Sequence, residues 1–326
     1  MSRAPSFRKI IVTGGTGFIG RHLLDALIDE GYYPTAIARR LEHVDGLPDA
    51  LRVRVRWIEL DLFDHQAVSR FVETEHPSVL FHLAGSIGAG VDRVAAASIC
   101  QKLNVEATVH LLKASNDSGA ERIIIIGSAE EYGNQTGPFD QTSPLRPISA
   151  YGRSKAEATR VALTMHDQEN CPVVVVRPFS VYGPHQPRGM FVSDAIAAAV
   201  TSEQFSMSEG TQQRDLVFVG DVVTALIAAA RTPGIEGMAF NLGSGDPVRL
   251  CDVAKLIWRI SETNASLLIG GRSRNDNDMQ MTWADPSFAR KYLGWERRVD
   301  LETGLRATID WARSSGRQSD SKLTGL

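Results

Sequence analysis

A tyrosine and a lysine four residues apart, in Tyr151-Gly152-Arg153-Ser154-Lys155, put a phenol and an ammonium on one face of a helix. Ser128 closes the apolar run that precedes them, and Glu130 stands two residues further on. Ketone reduction needs hydride on carbon and a proton on oxygen, and so a positioned acid. A free tyrosine, with pKa about 10, is poorly matched to neutral pH. A lysine about 4 Å away contributes about 4 kcal/mol at an effective dielectric near 20, or about three pKa units before desolvation subtracts some. The expectation is a phenol lowered into the useful range, with Ser128 bonding the carbonyl oxygen as charge develops there. Glu130 reads equally as a second acid or base and as a buried structural hydrogen bonder.

These groups need a scaffold, and the strongest signal for one lies at Ile10-Ile11-Val12-Thr13-Gly14-Gly15-Thr16-Gly17-Phe18-Ile19-Gly20. A short run rich in β-branched residues reads as a buried strand, followed by Gly14, Gly17 and Gly20 and then an amphipathic helix. Strand, glycine turn and helix together make a dinucleotide site, since a pyrophosphate approaches the backbone where a Cβ would intrude. Further strands are expected at 33–38, 53–60, 79–83, 122–126 and 173–176. They alternate with helices at 66–75, 95–115 and 150–166. This rhythm predicts an α/β fold, a doubly wound parallel sheet with a smaller C-terminal substrate-binding lobe. The dinucleotide-binding domain is set at 9–177, with returning segments near 214–242. In that stretch 214–219 is expected to rejoin the sheet, and Asp221 to cap a helix. The lobe is set at 178–213 and 243–313, and 314–326 is expected to be a disordered tail.

Composition narrows the function classes. Of 326 residues, 43% are apolar and 22% charged, and the net charge of −3 offers no general field for nucleic acid or an anionic membrane. Cys100, Cys171 and Cys251 stand apart without CxxC or matching histidines, which argues for a reducing compartment and no metal site. No secretory signal or membrane-length apolar run is present, so a cytoplasmic protein is the default. Where a dinucleotide fold places an acid on the ribose 2′-hydroxyl, the sequence reads Ala38-Arg39-Arg40. Paired guanidiniums suit a 2′-phosphate, and the cofactor expected is NADP(H).

The GxxGxxG turn, Ser128 and the Tyr151–Lys155 pair together resemble the extended short-chain dehydrogenase/reductase family, over roughly residues 9–312. Asp61-Leu62 resembles that family's adenine-binding pair, His82-Leu83-Ala84-Gly85 its HxAG turn, and Asn104-Val105 its NVxGT segment. The resemblance implies cofactor contacts at Gly14, Gly17, Phe18, Ile19, Gly20, Arg39, Arg40, Asp61, Leu62, Leu83, Ala84, Gly85 and Asn104. Tyr151, Lys155, Pro178 and Phe179 complete that set. It implies catalysis by Ser128, Tyr151, Lys155 and Glu130, and substrate contacts at Ser86, Ser128, Glu130, Ser180, Arg188 and Arg214. Ser180 stands where the RxxNVYGP segment carries asparagine, and Arg214 where the xRDFV strand has its nucleotide-binding arginine. The loop Arg272 to Asp278 occupies the place of the family's RPGD. A homodimer through the helices at 95–115 and 150–166 is also implied, with Val105, Val109 and Leu112 as its apolar face.

The string Gly127-Ser128-Ala129-Glu130-Glu131-Tyr132-Gly133 bears on the branch. Dehydratases of the family carry STDEVYG or STSELYG, with a polar residue where this chain has Ala129 and a glutamate where it keeps Glu130. The string is similar to the SSEEYG of GDP-4-keto-6-deoxymannose reductases, and SSATVYG of UDP-galactose 4-epimerase also has alanine after the serine. The leading expectation is an NADPH-dependent reductase of a nucleotide-linked 4-keto-6-deoxyhexose, with Tyr151 as proton donor. The alternative is a nucleotide-sugar epimerase, dehydratase or decarboxylase that recycles a bound NAD(P). A third class, a non-catalytic dinucleotide sensor, conflicts with an intact Ser128, Tyr151 and Lys155.

Overall fold

Seven short strands, β-branched-rich where β1, β5 and β6 run through the centre, pair in parallel to form the main sheet of the computed structural model, which describes residues 8–88, 90–273 and 279–323. In chain order the strands are β1 (Ile10–Thr13), β2 (Thr35–Ala38), β3 (Arg56–Glu59), β4 (Val79–His82), β5 (Arg122–Ile126) and β6 (Val173–Pro178). The lobe strands β7 (Ser180–Tyr182), β8 (Phe205–Met207), β9 (Gln213–Arg214) and β10 (Leu216–Phe218) come next. They are followed by β11 (Ala239–Leu242), β12 (Val248–Arg249), β13 (Leu267–Ile269) and β14 (Met281–Thr282). The main sheet runs β11-β6-β5-β4-β1-β2-β3. Strand order therefore reverses between β1 and β4, and open α/β sheets bind ligands outside the carboxyl ends of strands at such a point.

Period-two alternation distributes the core. Ile10, Val12, Val79, Phe81, Ile124, Val174 and Val176 pack on one face, and Ile11, Leu80, Ile123, Ile125, Val173 and Val175 on the other. Helix α1 (Phe18–Asp29) covers the first face with α2 (Glu42–Asp45) and α3 (Asp49–Arg54). The second is covered by α4 (His65–Glu75), α6 (Ala107–Asp117) and α7 (Ala150–Glu169). Between them α5 (Arg93–Cys100) leads through a π-helical turn, Gln101–Glu106, into α6. A separate core of Val192, Ile196, Val253, Ile257, Leu305 and Ile309 belongs to the lobe helices α8 (Phe191–Thr201), α10 (Leu250–Ser261) and α12 (Leu301–Leu323). Helices α9 (Val219–Arg231) and α11 (Ser287–Leu293) pack beside the first face.

Several expected elements differ. The third strand is shorter than 53–60, because residues 49–54 are helical and bury Leu51 rather than alternating along a strand. The helix expected over 95–115 is interrupted by the π turn. Residues 214–219 do not rejoin the main sheet. Arg214 pairs with β12 and β14, and β10 pairs with β7. The break is at Asp215, whose buried carboxylate accepts the N–H groups of Ser244 (2.7 Å), Gly245 (3.0 Å) and Ala284 (3.1 Å). Asp221 does not cap a helix either; it lies in the first turn of α9 and accepts the N–H groups of Arg298 and Val299. The stretch after 313 continues α12 to Leu323, since adding residues to a nucleated helix costs little; residues 324–326 lie outside the described residues. No helix among the described residues is long and apolar enough to cross a membrane.

Candidate active site

The glycine turn is shaped to admit a ligand against bare backbone. Gly14 has φ 71°, in the left-handed region, and a Cβ there would lie 2.6 Å from the Ala84 nitrogen. A Cβ on Gly20 would overlap the Gly14 carbonyl oxygen. Gly17 begins α1 with no side-chain cap, leaving first-turn N–H groups for an anion. Phe18 and Ile19 follow it, half-buried, in the first turn. A dinucleotide fits this cradle, which is built for close approach of a pyrophosphate. Across it lie Leu83 and Ala84, half-buried, and the exposed Gly85. Beneath it Thr108 donates to the Asn104 carbonyl (2.8 Å), so it accepts from His82 Nε2 (2.8 Å), and Thr13 donates to His82 Nδ1 (2.7 Å). Burial pushes His82 down to about 3, so it stays neutral and packs rather than transferring protons.

Arg39 and Arg40 follow β2, both exposed, and among the described residues neither guanidinium forms an ion pair or hydrogen bond. Asp61 is exposed and accepts the Phe63 N–H (3.0 Å), beside the buried Leu62. Pro178 ends β6, and Phe179 is buried after it.

The π turn brings in Asn104. An extra residue in the helical turn is a recurrent feature of functional sites, and here it holds a fully buried amide against the chain after β4. Its oxygen accepts the Ser86 N–H (2.8 Å), and its nitrogen donates to the Ser86 carbonyl (2.8 Å) and to Ser154 Oγ (2.9 Å). Asn104 thus fastens the Leu83–Ser86 turn to α7. The Cys100 thiol, also buried, donates to the same Ser86 carbonyl at 3.4 Å.

At the carboxyl edge of β5, Ser128 caps a 3₁₀ turn, Ala129–Glu131, and its Oγ accepts the Glu130 N–H (3.2 Å). Ser149 caps α7 by accepting the Gly152 N–H (2.8 Å), which brings Tyr151 and Lys155 to Ser128. Lys155 Nζ lies 5.9 Å from the Tyr151 ring centroid and donates to the Ile126 carbonyl (3.0 Å). Burial lowers Lys155 to about 8, against the pull of Glu131. Tyr151 moves opposite to expectation. Burial raises it above the ordinary tyrosine value, the Glu130 charge adds to that, and a hydrogen bond from Ser128 pulls the other way. The lysine does not win because its ammonium is itself desolvated and spent on Ile126, while two carboxylates stand close by. Glu130 Oε2 accepts the Ser149 hydroxyl at 2.5 Å.

The remaining expected substrate residues divide. Ser86 and Ser180 are half-buried, Ser86 in the turn after β4 and Ser180 opening β7. Arg188 is exposed and held by Asp194 at 2.8 Å, so its charge is already engaged. Arg214 is half-buried in β9 and donates to the Gln213 carbonyl (2.8 Å). Next to it a cleft of about 540 Å³ is lined by Ser208, Gly210, Gln212, Gly271 and Arg272, among others. Of the loop from Arg272 to Asp278, residues 274–278 lie outside the described residues, as does Ala89 of the Gly85–Gly90 stretch.

With this geometry in place, residues 10–243 match the NAD dependent epimerase/dehydratase family. The chain belongs to that family. It is 27% identical to a UDP-glucuronate 4-epimerase of Thermodesulfobacterium geofontis, over 94% of this chain and 96% of the relative. It is 28% identical to a dTDP-D-glucose 4,6-dehydratase of Mus musculus, over 94% and 89%. Among solved structures it is similar to MoeE5 in complex with UDP-glucuronic acid and NAD, with TM-score 0.83 and 31% identity over 94% and 99% of the two chains. A UDP-glucose 4-epimerase of Thermotoga maritima with UDP-glucose gives TM-score 0.86 at 26% identity, over 94% and 99%. The relatives named by activity are two UDP-sugar 4-epimerases and a dTDP-glucose dehydratase, so the family stands while the refinement to a GDP-sugar reductase gains no support from them.

Sequence reasoning passed over Glu131 and Asp215, the best-bonded carboxylates around the site. Each lay next to a residue singled out for chemistry, Glu130 and Arg214. The available signal was composition: a second acid after Glu130 in a string otherwise destined for burial needs a buried partner.

Proposed function

We propose that the protein is a nucleotide-sugar 4-epimerase: it takes hydride from C4 of a nucleotide-linked hexose or hexuronate and returns it to the opposite face. The observation that carries this reading is the convergence of Ser128, Tyr151 and Lys155 at the sheet edge facing the glycine cradle, with the apolar Ala129 between Ser128 and Glu130. Dehydration needs an additional acid for the departing hydroxyl, and Ala129 supplies none. The relatives named as UDP-sugar 4-epimerases support the same reading.

A nicotinamide dinucleotide, when bound, supplies hydride acceptance and return. Gly14, Gly17, Gly20 and the first turn of α1 would hold its pyrophosphate. Arg39 and Arg40, unpaired among the described residues, favour the 2′-phosphate of NADP(H) over a bare ribose. Tyr151, once its raised phenol has ionised, would take the 4-hydroxyl proton as C4 becomes a ketone, which leaves a neutral phenol. Ser128 bonds the carbonyl oxygen through the step. When the ketone is reduced on its other face, Tyr151 would give the proton back to the 4-oxygen. No proton moves at carbon, so Glu130 holds Ser149 and biases the phenol rather than acting as a base.

The test is a panel of UDP-, dTDP-, GDP- and CDP-hexoses and UDP-glucuronic acid, incubated with NADP+ or NAD+ and read by proton NMR. The reading expects a C4 epimer from at least one of them with unchanged reduced-cofactor absorbance. Steady consumption of NADPH with a 4-keto-6-deoxy sugar nucleotide would restore the reductase; a dehydrated product would make the protein a dehydratase.

A further inference from the structure

We propose that Glu131 is a positioning residue of the active site, whose buried carboxylate fixes Ser128 against the helix of Tyr151 and Lys155 and is the counter-ion that keeps Lys155 an ammonium. The proposal rests on Ser128, Tyr151 and Lys155 being the catalytic set. Glu131 is 0% exposed, yet it carries three donors from three different elements. The Ser128 N–H reaches its Oε1 at 2.8 Å, the Thr159 hydroxyl reaches the same oxygen at 3.2 Å, and Arg177 Nε reaches Oε2 at 2.7 Å. Thr159 lies one turn after Lys155 on α7, Ser128 follows β5, and Arg177 is on β6. One carboxylate therefore clamps the strand end that offers the Ile126 carbonyl to Lys155 and the helix that carries Lys155. The site leaves no slack, because a Cβ on Gly127 would lie 2.5 Å from Glu131 Oε1.

The charges around Lys155 make the electrostatic half necessary. His82 on β4 is neutral, and Cys100 on α5 is a thiol pushed above its usual value by burial. Burial and the Glu130 charge raise Tyr151, Glu130 is engaged by Ser149, and Arg177 is turned to Glu131. Burial pulls the lysine down to about 8, and Glu131 is the main opposing influence. Without it the ammonium would hold its proton less tightly.

The test follows Lys155 directly. The protein has seven lysines, so lysine labelled with ¹³C at Cε gives few NMR signals, and Lys155→Met identifies the one that matters. In the parent that signal should titrate near 8, and in Glu131→Gln about one pH unit lower or more. The alkaline limb of kcat/KM should move down with it. Thr159→Val, which removes a hydrogen bond but no charge, should leave the midpoint in place. Glu131→Gln strands Arg177 in the interior, so Glu131→Gln/Arg177→Met, with both charges gone, guards against loss of folding and should show the same drop. An unchanged midpoint in either folded variant overturns the proposal. Loss of folding in both also overturns it, because the carboxylate would then serve the fold alone. A lowered midpoint in a protein that epimerises no sugar nucleotide would sink the functional reading and leave the role of Glu131 standing.

Discussion

At the scale of single residues, the proposed chemistry rests on Tyr151 and its neighbours. Tyr151→Phe should lower turnover by about 10²–10⁴-fold, the usual worth of a positioned acid or base, while cofactor affinity measured by fluorescence titration stays near the parent value. Glu130→Gln removes one of the charges that raise the phenol. Its ultraviolet tyrosinate titration, corrected with Tyr151→Phe, should shift to lower pH, and epimerisation should persist. Abolished turnover in Glu130→Gln with intact binding would instead mark a base that moves protons at carbon. Lys155 carries a stability prediction whose sign follows from its lowered value. Between about 8 and 10.5 the unfolded chain binds the proton that the folded one has lost, so the parent gains stability as pH rises through that window. Lys155→Met should therefore be more stable than the parent at pH 7 by up to about 3 kcal/mol. Denaturant melts should show that gap closing toward pH 10. At the far end of the cofactor cradle, Arg39→Asp should reverse a preference for NADP over NAD, and equal affinities in the parent would contradict the arginine reading.

At the scale of elements, the glycine turn and the π turn position these groups. Gly20→Ala forces a methyl onto the Gly14 carbonyl and should cost at least about 1–3 kcal/mol in thermal melts, with cofactor binding lost in parallel. Asn104→Ala leaves the Ser86 N–H without its acceptor and removes one donor to the Ser86 carbonyl, so amide exchange should accelerate in the chain from Gly85 to Gly88. The strands of the first half were legible because consecutive β-branched residues such as Ile123 to Ile126 have few other uses. The approach of Tyr151 to Lys155 and Ser128 was legible because a fixed four-residue spacing survives any packing detail. What stayed hidden depends on tertiary context. The π turn has no periodic signature, and the alternation of arginine and valine at 52–55 suits a strand as well as the helix end it forms. The two short strands around Asp215 read as one until its carboxylate is seen binding three backbone amides from distant loops. The phenol's raised value was hidden likewise, since it depends first on how deeply the phenol itself is buried and then on the Glu130 charge beside it.

On the scale of the whole molecule, the parallel sheet supplies the cradle, and α8, α10 and α12 share a core of their own. Joining them, Arg21 of α1 donates to His185 Nδ1 (2.8 Å) and to the Thr16 carbonyl (3.0 Å), linking the glycine turn to the chain after β7. Assembly as a homodimer through α5, α6 and α7 is proposed on narrower ground than the sequence suggested. Val105 and Leu112 are buried within the protomer, leaving half-buried Val109 and exposed Val94 to such a seam. A dimeric mass by light scattering at micromolar concentration is expected, and a monomer would reject it. The central claim is that hydride leaves and returns to the same carbon. It is tested most directly with UDP-glucose and UDP-glucuronic acid deuterated at C4, each incubated with less than one equivalent of oxidised cofactor. The expected result is many turnovers to a C4 epimer that retains deuterium at C4, with no net change in reduced cofactor. Deuterium accumulating in the cofactor, or product formed only mole for mole with it, would contradict the account.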